Sequence, residues 1–165
     1  MVAERQPVDL LVFALPRRTL EDMENEVYEL ITRWFEAFQG ARPEALTCLV
    51  SLPFTFLRND TFTSFVTEDE FVRWWLDYVG TIRADGVVAR GEILRLRVDP
   101  VSPSAGIARM QSARLDQQGN MVRILTTAFM VYWRDGAWKV GACITDAVMM
   151  ESHRAGAQDA EPVGT

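Results

Sequence analysis

The sequence contains little of the material from which many catalytic sites are built. It has one histidine, His153, and two cysteines, Cys48 and Cys143, among 165 residues. One histidine in a polar C-terminal segment supplies neither a histidine triad, a histidine general base nor a multi-histidine metal site. The cysteines fit neither a metal-binding spacing nor a disulfide framework. We interpret both as small core residues, predict no metal and no cofactor, and expect a cytoplasmic, reducing location.

Basic charge and long apolar runs are also scarce. There are 17 basic and 23 acidic residues, so the net charge is −6, which disfavours nucleic acid and anionic membranes as partners. No apolar run approaches the roughly 20 residues that span a bilayer. Residues 8–16 resemble the core of a signal peptide, but the run carries Asp9 and is followed by Arg17 and Arg18. The ten glycines are scattered and form no phosphate-binding loop.

The composition that is present is that of one globular domain. Hydrophobic residues make up 48% and charged residues 24% of the chain. We expect an extended N-terminal arm over residues 1–18, which packs on the body as an edge strand or else binds a partner. A single domain would follow over residues 19–147, and a flexible polar tail over residues 148–165.

Local patterns predict a helix, a short helix, a hairpin and a third helix, followed by a long antiparallel β meander. Apolar residues recur at helical spacing over residues 20–38 after the N-cap candidate Thr19, and Pro43 opens a short second helix. Residues 53–66 predict a β-hairpin or two short strands, and Thr67 with Glu70 forms a capping box before the third helix. Strands are expected over residues 87–98, 107–116, 121–133 and 137–145. Because helices must cover one face of this sheet, the predicted class is α+β.

The turn at Asp135-Gly136 allows the faces of the last hairpin to be predicted. A two-residue loop there pairs Trp133 with Trp138 and gives a bulky helix-facing set: Trp133, Val131, Phe129, Thr127, Leu125, Trp138, Val140, Ala142, Ile144 and Asp146. The opposite face would then carry Thr126, Ala128, Met130, Tyr132, Cys143 and Thr145, towards solvent or another subunit. A two- or four-residue loop in the segment QQGN also turns Ser112, Arg114 and Asp116 towards the helices, whereas a three-residue loop inverts that strand.

This register suggests a catalytic hypothesis. Arg114, Asp116 and Asp146 would converge at one end of the covered face. Two carboxylates beside an arginine in a partly dry cleft can act as general acid and base, because charge and desolvation move their pKa values apart. The alternative is an ordinary ion-pair cluster at strand ends in water.

Aromatic residues at helical and strand spacing suggest an apolar ligand pocket between the sheet and the helices. The alternative is that these rings only fill the core, and Tyr28 would then lie half in water. The candidate pocket residues are Tyr28, Trp34, Phe35, Trp75, Tyr78, Phe129 and Trp138.

The layout resembles a known superfamily. The first helix (YELITRWFEAFQG), the helix opening PEAL and the closing hairpin VYWRDGAWKVGACI are similar to nuclear-transport-factor-2-like proteins, in particular the bacterial SnoaL-like (polyketide-cyclase-like) branch, over about residues 20–145. The resemblance implies a cone-shaped curved antiparallel sheet wrapped around three helices, with a central cavity, and a homodimer formed through the sheet. It also implies that some members act on hydrophobic small molecules as isomerases, cyclases, dehydratases or epoxide hydrolases. Arg114-Leu115-Asp116 with Asp146 resembles the epoxide-hydrolase pattern, and Tyr28 could take the place of the tyrosine of the steroid-isomerase branch.

Three functions follow as hypotheses. The first is a homodimeric protein that binds a hydrophobic small molecule in its cavity. The second is a cofactor-free isomerase, cyclase, dehydratase or epoxide-hydrolase-like enzyme, with Asp116 and Asp146 as acid/base groups that Arg114 orients. The third is an assembly or interaction module that uses the exposed face of the sheet.

Overall fold

The computed structural model describes residues 19–58, 60–84 and 90–148, so the predicted arm and all of the predicted tail beyond Val148 lie outside the described residues. The described chain forms three helices and six strands: α1 (Leu20–Gln39), α2 (Pro43–Thr47), β1 (Val50–Arg58), β2 (Thr61–Phe65), α3 (Glu68–Ala84), β3 (Arg90–Ser102), β4 (Ala105–Leu115), β5 (Met121–Arg134) and β6 (Ala137–Val148). The strands form one curved, unclosed sheet in the order β2-β1-β6-β5-β4-β3. Neighbouring strands are antiparallel except β1 and β6, which run parallel. The predicted α+β class is confirmed.

The predicted N-cap of α1 and the predicted capping box of α3 are confirmed. The Thr19 hydroxyl accepts a hydrogen bond from the Asp22 backbone N–H at 3.1 Å, and the Asp22 carboxylate accepts one from the Thr19 N–H at 3.1 Å. At the start of α3, the Glu70 carboxylate accepts the N–H groups of Val66 and Thr67 at 3.1 and 3.2 Å. These reciprocal bonds satisfy backbone donors that the first turn of a helix leaves unpaired.

The core lies between the helices and the concave face of the sheet. The buried stripe of α1 is the one that the helical spacing predicts: Met23, Val27, Leu30, Ile31, Trp34, Phe35, Ala37 and Phe38. Among the described residues, no helix is long and apolar enough to cross a membrane.

Of the two registers that the sequence left open for β4 on β5, the structure has the one that turns Arg114 towards the helices. Ser112 pairs with Leu125 and Arg114 pairs with Arg123, which is the pairing that a two- or four-residue loop requires. Met110 and Ser112 are accordingly buried, at 3% and 1% exposure. Arg114 therefore faces the helices.

The predicted register of β6 on β5 is right only as far as Val140. Val131 pairs with Val140, but Met130 pairs with Ala142, so Gly141 is an extra residue in β6 and forms a β-bulge. Because side chains alternate along a strand, one extra residue exchanges the two faces beyond it. Cys143 and Thr145 are therefore buried, whereas Ile144 and Asp146, which were expected on the helix-facing side, are exposed.

The two cysteines have different surroundings. Cys143 lies in the core with 1% exposure, as expected of a small core residue but not from the predicted hairpin register, which placed it on the outer face. Its burial raises the pKa of its thiol well above the usual value. Cys48 was also expected in the core, but it follows the short helix α2 and is exposed.

Candidate functional site

A narrow cleft lies between the concave face of the sheet and helices α1 and α3. It contains about 20 Å³ of free space, which is enough for about one water molecule. The central cavity expected from the resemblance is therefore almost filled by side chains in this conformation. The cleft is lined by rings, hydroxyl groups and one cation: Trp34, Phe35, Phe38, Phe56, Tyr78, Met110, Ser112, Arg114, Leu125, Thr127, Cys143 and Thr145.

Arg114 is the one charged residue in this lining. Its guanidinium carbon lies 5.6 Å from the ring centroid of Phe38 and 5.8 Å from that of Phe35, within the range of cation–π attraction. Gly91 leaves room for it, since a β-carbon there would lie 2.8 Å from Nη1 of Arg114. Burial lowers the pKa of Arg114, although an arginine remains protonated at neutral pH.

No carboxylate of the described residues forms an ion pair with Arg114. The ion pairs found there join Arg90 with Glu92, Arg97 and Arg109 with Asp99, and Arg134 with Asp135. The residue directly opposite Arg114 on β5 is a second arginine, Arg123, whose positive charge also lowers the pKa of Arg114. Like charges at opposed positions destabilise a sheet.

A third arginine lies close to the same cleft. The guanidinium carbon of Arg58, near the end of β1, is 5.1 Å from the ring centroid of Tyr78. Burial raises the pKa of Tyr78, and the charges of Arg58, Arg114 and Arg123 act in the opposite direction. Because burial has the larger effect, the phenol stays protonated at neutral pH and remains a hydrogen-bond donor.

Two residues of the lining have buried polar atoms without a hydrogen-bond partner among the described residues. These atoms are Oγ of Ser112 and Nε1 of Trp34, and both side chains are more than nine-tenths buried. By contrast, the hydroxyls of Thr127 and Thr145 satisfy each other at 3.0 Å. Unpaired buried polar atoms are uncommon in folded proteins, because each one carries a desolvation cost.

The structure does not bring the predicted catalytic residues together. Asp116 lies in the turn after β4, where its carboxylate accepts hydrogen bonds from the N–H groups of Gln118 and Asn120 at 2.9 and 2.8 Å and from the Asn120 amide at 3.0 Å. These bonds, the Asn120 amide first, hold the pKa of Asp116 below its usual value. Asp146 pairs with Thr126 on the outer side of the sheet because of the bulge at Gly141. The prediction that Asp116 and Asp146 converge on Arg114 is therefore wrong.

The predicted pocket aromatics occupy three kinds of position. Trp34, Phe35 and Tyr78 line the cleft. Trp75 and Phe129 are almost completely buried in the core, where Phe129 meets Trp34 edge to face at 4.9 Å.

The remaining two, Tyr28 and Trp138, lie away from the cleft. Tyr28 is 51% exposed on α1. Trp138 donates its indole N–H to the Glu26 carboxylate at 2.7 Å and borders a separate open groove of about 380 Å³ between α1 and the β5–β6 turn.

The sequence interpretation missed two arginines near the cleft. The register of β4 and β5 already implied that Arg123 lies opposite Arg114, so that neighbour could have been found. Arg58 depends on the parallel pairing of β1 with β6, which no local pattern specifies. Among the described residues there is no group of three or more His, Cys, Asp or Glu side chains that could hold a metal ion.

Comparison with known families identifies a match over most of the chain. A sequence model of the family described as NTF2-like protein (DUF6841) matches residues 24–147. No curated protein matches the chain.

Solved structures of low sequence identity are similar in fold. A protein of unknown function with a cystatin-like fold from Nostoc punctiforme has a TM-score of 0.64 and 11% identity, and the match covers 79% of this chain and 93% of that one. An NTF2-like protein of unknown function from Pseudomonas putida has a TM-score of 0.63 and 14% identity, covering 86% and 98%. A ketosteroid isomerase-like protein from Erwinia carotovora has a TM-score of 0.57 and 13% identity, covering 78% and 98%. At these identities the likeness concerns the fold alone.

Proposed function

The chain belongs to the NTF2-like family described as DUF6841, and we propose that it binds an apolar small molecule in the cleft between the sheet and helices α1 and α3. The observation that supports this proposal is the composition of the lining. Five of the twelve lining residues are aromatic and three more are apolar, and a few polar groups, two of them without partners among the described residues, lie among them. Small-molecule sites typically combine a mostly apolar wall with a few polar groups.

The narrowness of the cleft defines what binding requires. About 20 Å³ of free space does not accept a ring, so the ligand must displace a side chain. Arg114 is the residue we expect to move, because it is half-buried and rests on the faces of Phe35 and Phe38. An apolar ligand would take the place of the guanidinium on those two rings.

Binding is better supported than acid–base catalysis. None of the described residues that line the cleft is an aspartate or a glutamate. The two carboxylates of the catalytic hypothesis are at a surface turn and on the outer side of the sheet. The acid and base needed for that mechanism would therefore have to come from elsewhere.

The proposal can be tested by titrating 15N-labelled protein with two small aromatic molecules, benzamide and benzoate, and following the backbone and indole N–H signals. We expect at least one of them to shift the Trp34 indole signal, which is assigned from the variant Trp34→Phe. Leu125→Phe should block binding by adding volume to the lining, whereas Ile124→Phe, the preceding residue on β5, should not. Saturating concentrations of both molecules without a shift at the cleft would refute the proposal.

A second copy of the chain is the partner we propose for the outer face of the sheet. Met130 and Ile144 are 55% and 47% exposed there. Their cross-strand neighbours are Ala142 and Ala128, whose small side chains permit close approach. Exposed apolar side chains grouped on one face are typical of interaction surfaces.

A further inference from the structure

The charges around the cleft have one sign. Arg58, Arg114 and Arg123 are all half-buried, and all three charges act on the hydroxyl of Tyr78. No carboxylate of the described residues forms an ion pair with any of them. The whole chain carries a net charge of −6, so this local excess of positive charge runs against the overall balance. Such an arrangement favours an anion from outside the chain.

The positions of Arg114 and Arg123 are also energetically unfavourable unless an anion is bound. Arg114 and Arg123 lie at directly opposed positions of neighbouring strands, where like charges repel each other. Arg114 is also partly desolvated, and a desolvated charge without a counterion is destabilising. A bound anion would relieve both the repulsion and the desolvation.

The uncharged polar groups of the lining also suit an oxyanion. The Trp34 indole can only donate a hydrogen bond, and the hydroxyls of Ser112 and Tyr78 can donate one. The first two of these groups have no partner among the described residues. Carboxylate oxygens accept several hydrogen bonds, and the planar guanidinium fork of arginine matches them in geometry.

We propose that the ligand of the cleft is a small organic carboxylate, with its carboxylate on Arg114 and its apolar body against the rings of Phe35 and Phe38. This inference rests on the proposed function and adds the chemical class of the ligand. The apolar body replaces the guanidinium on the two rings, and the guanidinium keeps the carboxylate as it moves. Arg58 and Arg123 add positive potential without lining the cleft themselves.

The test compares benzoate, benzamide and inorganic phosphate as probes in the same N–H titrations. Benzamide has the shape of benzoate without its charge, and phosphate has the charge without the ring. We expect benzoate to bind about tenfold or more tighter than benzamide, since hydrogen bonds between charged groups are the stronger ones. The affinity for benzoate should fall as sodium chloride is added, and that for benzamide should not.

Variants locate the charge that recognises the anion. Arg114→Gln should remove most of the roughly tenfold preference for benzoate over benzamide, whatever it does to the affinity for the uncharged probe. Arg95→Gln is the matched control, because Arg95 is an exposed arginine that lines a different surface pocket, on the outer side of the sheet. Arg123→Gln, with a smaller expected loss, provides a second measurement if Arg114→Gln does not fold.

Each outcome separates the two proposals. Equal affinity for benzoate and benzamide would overturn the carboxylate assignment while leaving an apolar binding site. Phosphate binding as tight as benzoate would also overturn it, because the rings would then contribute nothing. An equal loss of benzoate binding in Arg95→Gln and Arg114→Gln would show a general charge effect and would reject the assignment to Arg114. If neither benzoate nor benzamide bound in the cleft, both proposals would be refuted.

Discussion

A β-carbon on Gly141 would overlap Cε1 of Tyr132 and would lie 2.7 Å from its hydroxyl oxygen. The ring of Tyr132 thus covers the one position of β6 that has no side chain. Gly141 is also the extra residue of the β-bulge, so the contact marks the point where the two faces of β6 exchange. The outward position of Asp146 and the inward position of Thr145 both follow from this residue.

Gly141→Ala should destabilise the fold because the new methyl group overlaps the Tyr132 ring. We expect a loss of about 1–3 kcal/mol in the free energy of unfolding, as is typical of overpacking. Denaturation by urea would measure it. In the background of Tyr132→Ala the same substitution should cost much less, since the overlap is then absent. An equal cost in both backgrounds would show that the strain comes from the backbone and not from the ring.

The inward position of Thr145 can be tested separately. Its hydroxyl bonds to that of Thr127 at 3.0 Å in the core. Thr127→Val leaves the Thr145 hydroxyl buried and unpaired, so we expect a loss of about 1–3 kcal/mol in the free energy of unfolding. The double variant Thr127→Val, Thr145→Val should recover most of the loss. Thr126→Val, on the outer face, is the control and should change stability little. A double variant as unstable as the sum of the single ones would contradict the pairing.

The difference between the predicted and observed registers of β6 shows which features of this fold the sequence can predict. The periodicity of α1, its N-cap at Thr19, the capping box of α3 and the Asp135-Gly136 turn follow from local chemistry, and each was predicted. Counting across the turn after β4 left two registers open, and the structure has the one that a two- or four-residue loop gives. A bulge leaves no such local signal, since Gly141 in a strand is also compatible with regular pairing. Because the bulge at Gly141 was not predicted, Cys143, Ile144, Thr145 and Asp146 were assigned to the wrong faces of the sheet.

The candidate site was predicted in part for the same reason. Trp34, Phe35, Tyr78 and Arg114 follow from periodicity and from the counted register, and all of them line the cleft. Asp146 depended on the register beyond Gly141. Arg58 depended on the parallel pairing of β1 with β6, which joins segments more than 80 residues apart and has no local pattern.

The cap of α3 makes a specific contribution to acid stability. Hydrogen bonds from the N–H groups of Val66 and Thr67 lower the pKa of Glu70 below its usual value of 4.5. Because the pKa is lower in the folded state, this stabilisation is present above the unfolded pKa and is lost as the pH falls through the folded one. Glu70→Gln should therefore be less stable than the wild type at pH 7, and the difference should shrink below about pH 4.

Urea denaturation at several pH values, with an NMR titration of the Glu70 carboxyl, would check this prediction. Glu68→Gln is the matched control in the same helical turn. A stability difference between Glu70→Gln and the wild type that stays constant from pH 7 to below pH 4 would contradict it.

The proposed homodimer gives a prediction about the outer face. Met130→Glu would place a charge beside Ile144, Ala128 and Ala142, and two copies of that charge would meet or be desolvated in a sheet-to-sheet interface. We expect sedimentation to show a dimer for the wild type and a monomer for Met130→Glu. Thr61→Glu, at an exposed position on the edge strand β2, is the control and should leave the dimer intact. A monomeric wild type would refute the proposal directly.

Arg114 should lower the stability of the unliganded protein. It is a partly desolvated cation opposite Arg123, and within the described part of the chain the rings of Phe35 and Phe38 compensate it in place of a carboxylate. Arg114→Met keeps an unbranched apolar stem and removes the charge, so we expect the free energy of unfolding to rise by about 1 kcal/mol. Sodium chloride should raise the stability of the wild type more than that of the variant, since screening weakens the repulsion. Arg95→Met should show neither effect. A loss of stability in Arg114→Met would mean that the cation–π contacts outweigh the repulsion, and the structure would then have no need of an anion at this position.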